Sequence, residues 1–356
     1  MPNAILTKAI DTLASRKDLS EDATSAVLAE IMHGDVSEIQ IAGFLIALRT
    51  KGETVQELAG LARTMRALAA GVPIERENLL DTAGTGGGRS SFNVSTTAAL
   101  IAAGAGCAVA KHGNRSATSR SGSADLLEAL GARIDLAPAQ VASCIEEAGF
   151  GFMFAPTHHR ATRFVVPVRA ELAVRTIFNL LGPLTNPAGA RRQLIGVSDE
   201  RFLEIMAGAL ALLGVDRALL VTSEDGLDEI SASAPTHVIE VNGETIERYT
   251  LRPVDVGIEP SDEQAPAGGT PEQNAAVTRS ILRIRATGEH TPAHPREAEE
   301  LAVINAGAAI YTAGGADSIA EGVEAARAAL ADGRAADALE RFVAATRRHA
   351  PVQAER

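Results

Sequence analysis

Over the first 73 residues apolar positions recur every three or four places, the spacing of helices that bury one face. Small polar residues followed by acids mark the helix starts. Ser20-Glu21-Asp22 supplies a cap and two carboxylates for the positive end of a helix dipole. Ser37-Glu38 does the same for an apolar stretch over 39–48, which Gly52 stops. Thr54-Val55-Gln56-Glu57 has capping-box spacing. Behind it Val55, Leu58, Ala62, Met65 and Leu68 share one helical face until Gly71 and Pro73 end the pattern.

From residue 79 the rhythm changes. Short apolar runs alternate with Gly-rich turns and helical stretches, the texture of parallel strands joined by crossover helices. The pattern predicts strands over 79–82, 107–110 and 217–222, helices over 94–103 and 124–130, and loops over 84–88, 111–122 and 223–226. Segments 237–241 and 245–251 flank Asn242-Gly243 and read as a hairpin. Residues 259–273, rich in Pro, Gly and acids, read as an exposed loop, and the remainder as helical down to a frayed end over 350–356.

Composition narrows the function. The 356 residues are 46% hydrophobic, ample for a buried core. Lys and Arg total 33 against 45 Asp and Glu, a net charge of −12, which disfavours nucleic acid and anionic membranes as partners. Aromatics are 3% and Trp is absent, so no base-stacking surface is expected. Cys107 and Cys144 make neither a CxxC pair nor a zinc spacing and read as buried thiols in a reducing cytosol. Met1-Pro2-Asn3 opens no signal peptide, and the longest run of Gly and apolar residues, 98–110, is shorter than the roughly 20 that span a membrane. A soluble, cytoplasmic protein is expected.

The candidate chemistry lies in three loops. Asp81-Thr82-Ala83-Gly84-Thr85-Gly86-Gly87-Gly88 falls where a strand hands over to a helix, so backbone N–H groups converge and the helix dipole aims its positive end at them. It is neither a Walker A motif nor the dinucleotide fingerprint, since Arg89 stands where the third glycine of the latter belongs. Ser90, Ser91, Asn93, Ser95, Thr96 and Thr97 crowd the helix start, more polar residues than capping requires, and suit phosphate oxygens and a hydrated metal. The next loop carries Lys111-His112-Gly113-Asn114-Arg115 and Arg120-Ser121-Gly122-Ser123. Residues 84–123 hold Arg89, Lys111, Arg115 and Arg120 but no acid, where about five are expected at the chain's average. The third loop, Glu224-Asp225-Gly226-Leu227-Asp228-Glu229, offers carboxylates for Mg2+ beside a polyphosphate. Adjacent His158-His159 face different ways and read as structural rather than as a metal site. Arg169 reads equally as a carboxylate clamp or a surface ion pair.

In their order, Gly84-Thr85-Gly86-Gly87, Asn93-Val94-Ser95-Thr96, Lys111-His112-Gly113-Asn114-Arg115, Ser121-Gly122-Ser123-Ala124-Asp125, Phe178-Asn179 with Leu181-Gly182-Pro183-Leu184-Thr185-Asn186-Pro187, and Gly226-Leu227-Asp228-Glu229 closely resemble the anthranilate phosphoribosyltransferase family. The resemblance covers nearly the whole chain. It implies a Mg2+-dependent glycosyltransferase (pentosyltransferase) of tryptophan biosynthesis, with 5-phosphoribosyl 1-diphosphate and anthranilate as substrates. The apolar face of 39–48 reads as core by default or as a subunit interface, and the resemblance, which implies a homodimer through the helical domain, keeps the interface reading open.

The implied fold is a small all-helical domain, residues 1–74 with a return segment near 165–188. Residues 75–164 and 189–356 would form a larger α/β domain with a mostly parallel central sheet flanked by helices, and the cleft between the two would hold the site. Gly84, Gly87, Gly88, Ser91, Asn93, Val94, Ser95, Thr96, Lys111, His112, Gly113, Asn114, Arg115, Ser116, Ala117, Thr118, Ser119 and Ser123 are the implied phosphoribosyl diphosphate contacts. Gly84, Asn114 and Arg169 are the implied anthranilate contacts, with His112 and His159 nearer its channel; Ser95, Asp228 and Glu229 form the Mg2+ set; and Lys111, Asn114 and Arg169 carry the catalysis. One departure stands out: the family's Asp after Gly-Thr-Gly-Gly is Gly88 here, and the stretch to Asn93 is one residue shorter. If the loop merely tolerates either residue, Gly88→Asp keeps activity. The rivals are a pyrimidine nucleoside phosphorylase of the same fold and a non-catalytic nucleic-acid-binding relative.

Overall fold

The computed structural model describes residues 2–116, 119–261, 267–283 and 296–349. Helices α1 (Ala4–Ala14), α2 (Glu21–His33), α3 (Glu38–Lys51) and α4 (Val55–Ala67) form the N-terminal bundle. The sequence signals sit where they were expected. Ser20 and Ser37 cap α2 and α3, and Thr54 and Glu57 close a capping box on α4. Leu58, Ala62 and Met65 are buried, but Leu68 lies past the helix end and is exposed.

The sheet then alternates with helices: β1 (Leu80–Gly84), α5 (Val94–Gly104), β2 (Val109–Gly113), α6 (Ser123–Ala129), α7 (Pro138–Ala148) and β3 (Phe150–Phe154). The chain returns to the bundle through α8 (Ala155–His158), α9 (Val166–Leu172) and α10 (Phe178–Leu184). It re-enters the sheet as β4 (Arg192–Gly196), α11 (Leu203–Leu212), β5 (Arg217–Ser223) and the hairpin β6 (Thr236–Asn242) and β7 (Thr245–Leu251). Helices α12 (Pro271–Ile281), α13 (Arg296–Ala313), α14 (Ile319–Ala331) and α15 (Arg334–His349) complete the described chain. Residues 350–356, read as a frayed end, lie outside the described residues.

Among the described residues the strands form one sheet in the order β3-β2-β1-β4-β5-β6-β7, parallel from β3 to β5 and antiparallel in the hairpin. The period-2 alternation of strands divides the core between its faces. Leu194, Leu219, Val221 and Val238 join α5, α7, α13, α14 and α15 on one face. Ile195, Ala218, Leu220, Ile239 and Val241 join α11 and the bundle on the other. The bundle core therefore runs on into the sheet through α11, whose Gly208 lies against Val55 of α4.

Three features depart from the pattern. The second strand runs from Val109 to Gly113, so Lys111 and His112 are strand residues paired with Phe152 and Met153, not loop residues. The polar side chains conceal the strand, because they are buried by partners that come from elsewhere in the chain. β3 and β4 are not singled out by the sequence, since a five-residue strand buried on both faces shows no polar alternation. The stretch read as an exposed loop over 259–273 ends early, at Thr270, which caps α12.

Candidate functional site

Strand order reverses between β1 and β4, because the chain builds β1, β2 and β3 outward and then returns to the other side of β1. Such a switch point opens a crevice beyond the carboxyl ends of the strands. Gly84 and Gly196 are paired at this end. A Cβ at Gly196 would overlap the Asp228 carbonyl oxygen, and one at Gly84 would lie 3.2 Å from Asp228 Oδ2. Glycine at both strand ends lets the acidic loop after β5 seat directly on the glycine loop after β1. The role of Gly196 was not foreseen, because the sequence does not reveal its strand.

The two loops are joined at several points. A Cβ at Gly88 would sit 2.6 Å from Asp228 Oδ1 and 2.9 Å from Asp228 N, so the space that an Asp would need is filled. Arg89 donates through its amide to Gly226 O at 2.7 Å and through Nη2 to Asp225 Oδ2 at 2.9 Å. Ser91 Oγ lies 3.5 Å from Glu229 Oε1. Buried Asn305 of α13 holds the acidic loop from behind, accepting from Ile230 N at 3.0 Å and donating to Ile230 O at 2.8 Å. Burial raises the pKa of Asp228, partly offset by hydrogen bonding that includes the Gly86 amide. Burial, then the neighbouring Asp228, raise Glu229 well above the usual carboxylate range. Glu229 Oε2 is buried without a hydrogen-bond partner among the described residues. Two crowded carboxyls with an unsatisfied oxygen are suited to a divalent cation, which would let both ionise.

Lys111 is 1% exposed. Its ammonium donates to the Thr82 carbonyl, to Thr82 Oγ1 at 3.1 Å and to Ser95 Oγ at 3.4 Å, beneath the end of β1. Burial lowers its pKa to about 8, against the opposing pull of Asp81 and Glu229. Asp81, also buried, accepts from the His112 amide at 3.0 Å.

The remaining expected contacts fall into two groups. Asn93 caps α5, but its amide is engaged: Nδ2 donates to Ser121 O at 3.1 Å, and Oδ1 accepts from Ser121 Oγ at 3.0 Å and Asn274 Nδ2 at 2.8 Å. Val94 is buried beside it, and Thr96 Oγ1 is buried without a hydrogen-bond partner among the described residues. The loop after β2 is braced on α6. Gly113 is crowded by Ser123, Ser123 Oγ donates to Asn114 O at 3.3 Å, and Ser116 N donates to Asp125 Oδ2 at 3.2 Å. Ser116 Oγ donates to Ser119 O at 2.7 Å, and Arg115 is paired with Asp125 and Glu128. Ala117 and Thr118 lie outside the described residues.

On the bundle side, Arg169 of α9 is half-buried over the Phe178 ring at 5.6 Å, and no carboxylate pairs with it among the described residues. Burial lowers its pKa. Among the described residues its surroundings thus offer no ion pair, and its guanidinium is half-buried rather than fully exposed. His112 and His159 stand 5.0 Å apart, and the Gly182 and Thr185 backbones hydrogen-bond their rings. His158 Nδ1 lies 2.8 Å from Ala70 O, in keeping with its structural reading. Among the described residues no group of three or more His, Cys, Asp or Glu converges as a metal site. A cavity of about 640 Å³ opens at the opposite end of β1 and β4, beside Ile74, Arg76, Arg191 and Asp216, so its volume does not mark the chemistry.

The chain matches a glycosyl transferase family twice, its helical bundle domain over residues 7–69 and its a/b domain over 76–336. It is 52% identical over 345 residues to an anthranilate phosphoribosyltransferase of Rubrobacter xylanophilus, covering 97% of this chain and 98% of that protein. The crystal structure of the Thermus thermophilus anthranilate phosphoribosyltransferase superposes with a TM-score of 0.87 at 46% identity, covering 95% of this chain and 99% of that one. The Saccharomyces cerevisiae enzyme in complex with PRPP and Mg superposes with a TM-score of 0.84 at 26% identity, covering 97% and 99%.

Proposed function

The chain belongs to the anthranilate phosphoribosyltransferase family, and from that membership we propose how its own residues carry out the transfer. The reaction joins the amino nitrogen of anthranilate to ribose C1 of 5-phosphoribosyl 1-diphosphate. The bond from C1 to the diphosphate oxygen breaks, and the product nitrogen gives up a proton. Aniline nitrogen is neutral near pH 7, so the site needs no strong base. It needs charge stabilisation on the leaving diphosphate, supplied by preorganised donors.

The observation that carries the reading is the seating of the glycine loop on Asp228 and Glu229 at the β1–β4 switch point. The N–H groups of Gly87 and Gly88 would face the diphosphate, those of Thr85 and Gly86 being taken by the Gly196 carbonyl and the Asp228 carboxylate, with Ser91, Ser95 and Thr96 near the start of α5. The Lys111 ammonium adds positive potential from beneath the strand ends. Asp228 and Glu229, with Ser95, would hold Mg2+, a reading supported by the unpartnered Glu229 oxygen and the raised pKa of both carboxyls. Once bound, Mg2+ supplies positive charge to the departing diphosphate. Arg169 would take the anthranilate carboxylate, supported by a guanidinium that no carboxylate pairs among the described residues.

The domains are assigned as residues 1–74 with 165–188, and 75–164 with 189–356. Val165, Val168, Phe178 and Leu181 share the core of Leu28 and Phe44, which supports the return segment. Ile39, 84% exposed, with Ile46 on α3 and Ile5 on α1, supports a homodimer through this domain. The free buried thiols of Cys107 and Cys144 suit a cytoplasmic location. No helix among the described residues is long and apolar enough to cross a membrane.

The test mixes the protein with 5-phosphoribosyl 1-diphosphate, Mg2+ and anthranilate and follows loss of anthranilate fluorescence. Folded protein that gives no loss at any Mg2+ concentration overturns the proposal. Phosphorolysis of thymidine would instead assign the rival activity, and salt-sensitive DNA binding without transfer would favour the non-catalytic one. Arg169→Ala is expected to raise KM for anthranilate by about ten- to a hundredfold, the loss of a charge-assisted pair, with KM for the diphosphate substrate nearly unchanged. Equal effects on both would place Arg169 elsewhere.

A further inference from the structure

Arg175 lies between α9 and α10, outside every contact set assigned above. Its Nη1 donates to Gly86 O at 2.8 Å and its Nη2 to Thr85 O at 3.4 Å. The guanidinium fills the space that a Gly87 side chain would take, since a Cβ there would overlap Nη1. Gly86 and Gly87 have φ of 63° and 92°, the left-handed region that favours glycine. The Arg175 backbone is fixed in turn, because its carbonyl accepts from Arg49 Nη1 of α3 at 2.7 Å. No carboxylate forms an ion pair with Arg175 among the described residues; its hydrogen bonds go to the loop carbonyls, and its charge also reaches Asp228 and Asp199.

A trans peptide points its carbonyl and its N–H in opposite directions. The Thr85–Gly86 peptide therefore offers its oxygen to Arg175 while its N–H hydrogen-bonds the Asp228 carboxylate. In the next peptide Arg175 holds the Gly86 oxygen, which turns the Gly87 N–H away from the bundle. One side chain of the bundle thus sets two consecutive peptide planes of the loop.

We propose that Arg175 is a positioning residue that presets the glycine loop for the diphosphate and makes that geometry depend on the return segment of the helical bundle. The inference rests on the functional reading above for the identity of the ligand. The loop geometry itself is testable without any ligand.

Hydrogen exchange on ligand-free wild type and Arg175→Ala reads the loop directly. The variant should exchange faster over 84–88 while the bundle peptides of α2 and α4 keep their protection; an unchanged loop overturns the proposal whatever the protein binds. Calorimetric titration with 5-phosphoribosyl 1-diphosphate and Mg2+, without anthranilate, should show binding about ten- to a hundredfold weaker in Arg175→Ala. Arg175→Lys should recover part of it, because one ammonium cannot span both carbonyls. Equal affinity in wild type and variant overturns the proposal, as does an equal rise in KM for both substrates. Failure of the wild type itself to bind would count against the functional reading, while the exchange result would still decide the role of Arg175.

Discussion

At the residue scale the site is defined by what glycine leaves open. Gly88 is not in the left-handed region, so its glycine is required by space: Asp228 and the Gly226 carbonyl occupy the volume of any Cβ. From the sequence, Gly88→Asp is expected not to abolish activity if the loop merely tolerates either residue, whereas the structure predicts a cost. The new side chain must displace the acidic loop and would add a third carboxyl beside two whose pKa burial already raises. Activity at fixed Mg2+ should fall by at least about tenfold, with melting within a few degrees of wild type, as expected for a loop that packs little core. Wild-type kinetics across a Mg2+ titration would show that the loop accepts both residues. Charge was the least legible feature at this scale. The acid-free window over 84–123 is not a free cationic pocket: Asp225 pairs Arg89, Asp125 and Glu128 pair Arg115, and Lys111 is buried. Only Arg120 is left exposed without a partner among the described residues. A window counts neighbours in sequence, whereas charges are neutralised by neighbours in space.

At the element scale, caps were readable because they depend on residues within one turn. Glu57 shows both the strength and the limit of that reading. The capping box gives its bond to Thr54 N at 2.9 Å, but not that it also accepts from Leu19 N at 2.9 Å and from Lys51 Nζ at 3.0 Å. Both Glu57 and Lys51 have buried side chains. Removing the carboxylate leaves two amides unsatisfied and the Lys51 ammonium with only Asp18 and the Gly52 carbonyl, so Glu57→Ala should destabilise the bundle by about 3 kcal/mol in urea unfolding. Glu57→Gln should lose less, because it keeps one acceptor. A loss below about 1 kcal/mol for the alanine variant would mean that water replaces these bonds. Strands were harder to read. β5 and the hairpin declare themselves by apolar runs and an Asn-Gly turn, while β2 hides Lys111 and His112 inside it. Those polar residues become strand residues only because β1 and β3 enclose them, which no local pattern encodes.

At the scale of the whole molecule, the bundle and the sheet meet across a cluster of neutral histidines. His112 is on β2, yet its ring bonds the backbone of Gly182 in α10; His159 bonds Thr185, and His158 bonds Ala70 beyond α4. Burial, with the neighbouring rings next, lowers His112 to about 3 and His159 to about 4. In the unfolded chain both titrate near 6.5. Below that pH the unfolded state takes up protons that the folded state refuses, so stability is fully present above 6.5 and falls as pH drops toward 4. Each histidine contributes a slope of up to about 1.4 kcal/mol per pH unit in that window. Calorimetric melting from pH 7 to 4.5 should therefore show a steep loss in the wild type. His159→Gln, which keeps an amide donor for Thr185 but cannot titrate, should flatten that slope. Carboxylates, including the raised Asp228 and Glu229, act alike in both proteins, so the difference between the two slopes isolates the ring. Identical slopes would mean that the cluster is already protonated when folded, and that the two halves are held together by the apolar core running through α11 rather than by these rings.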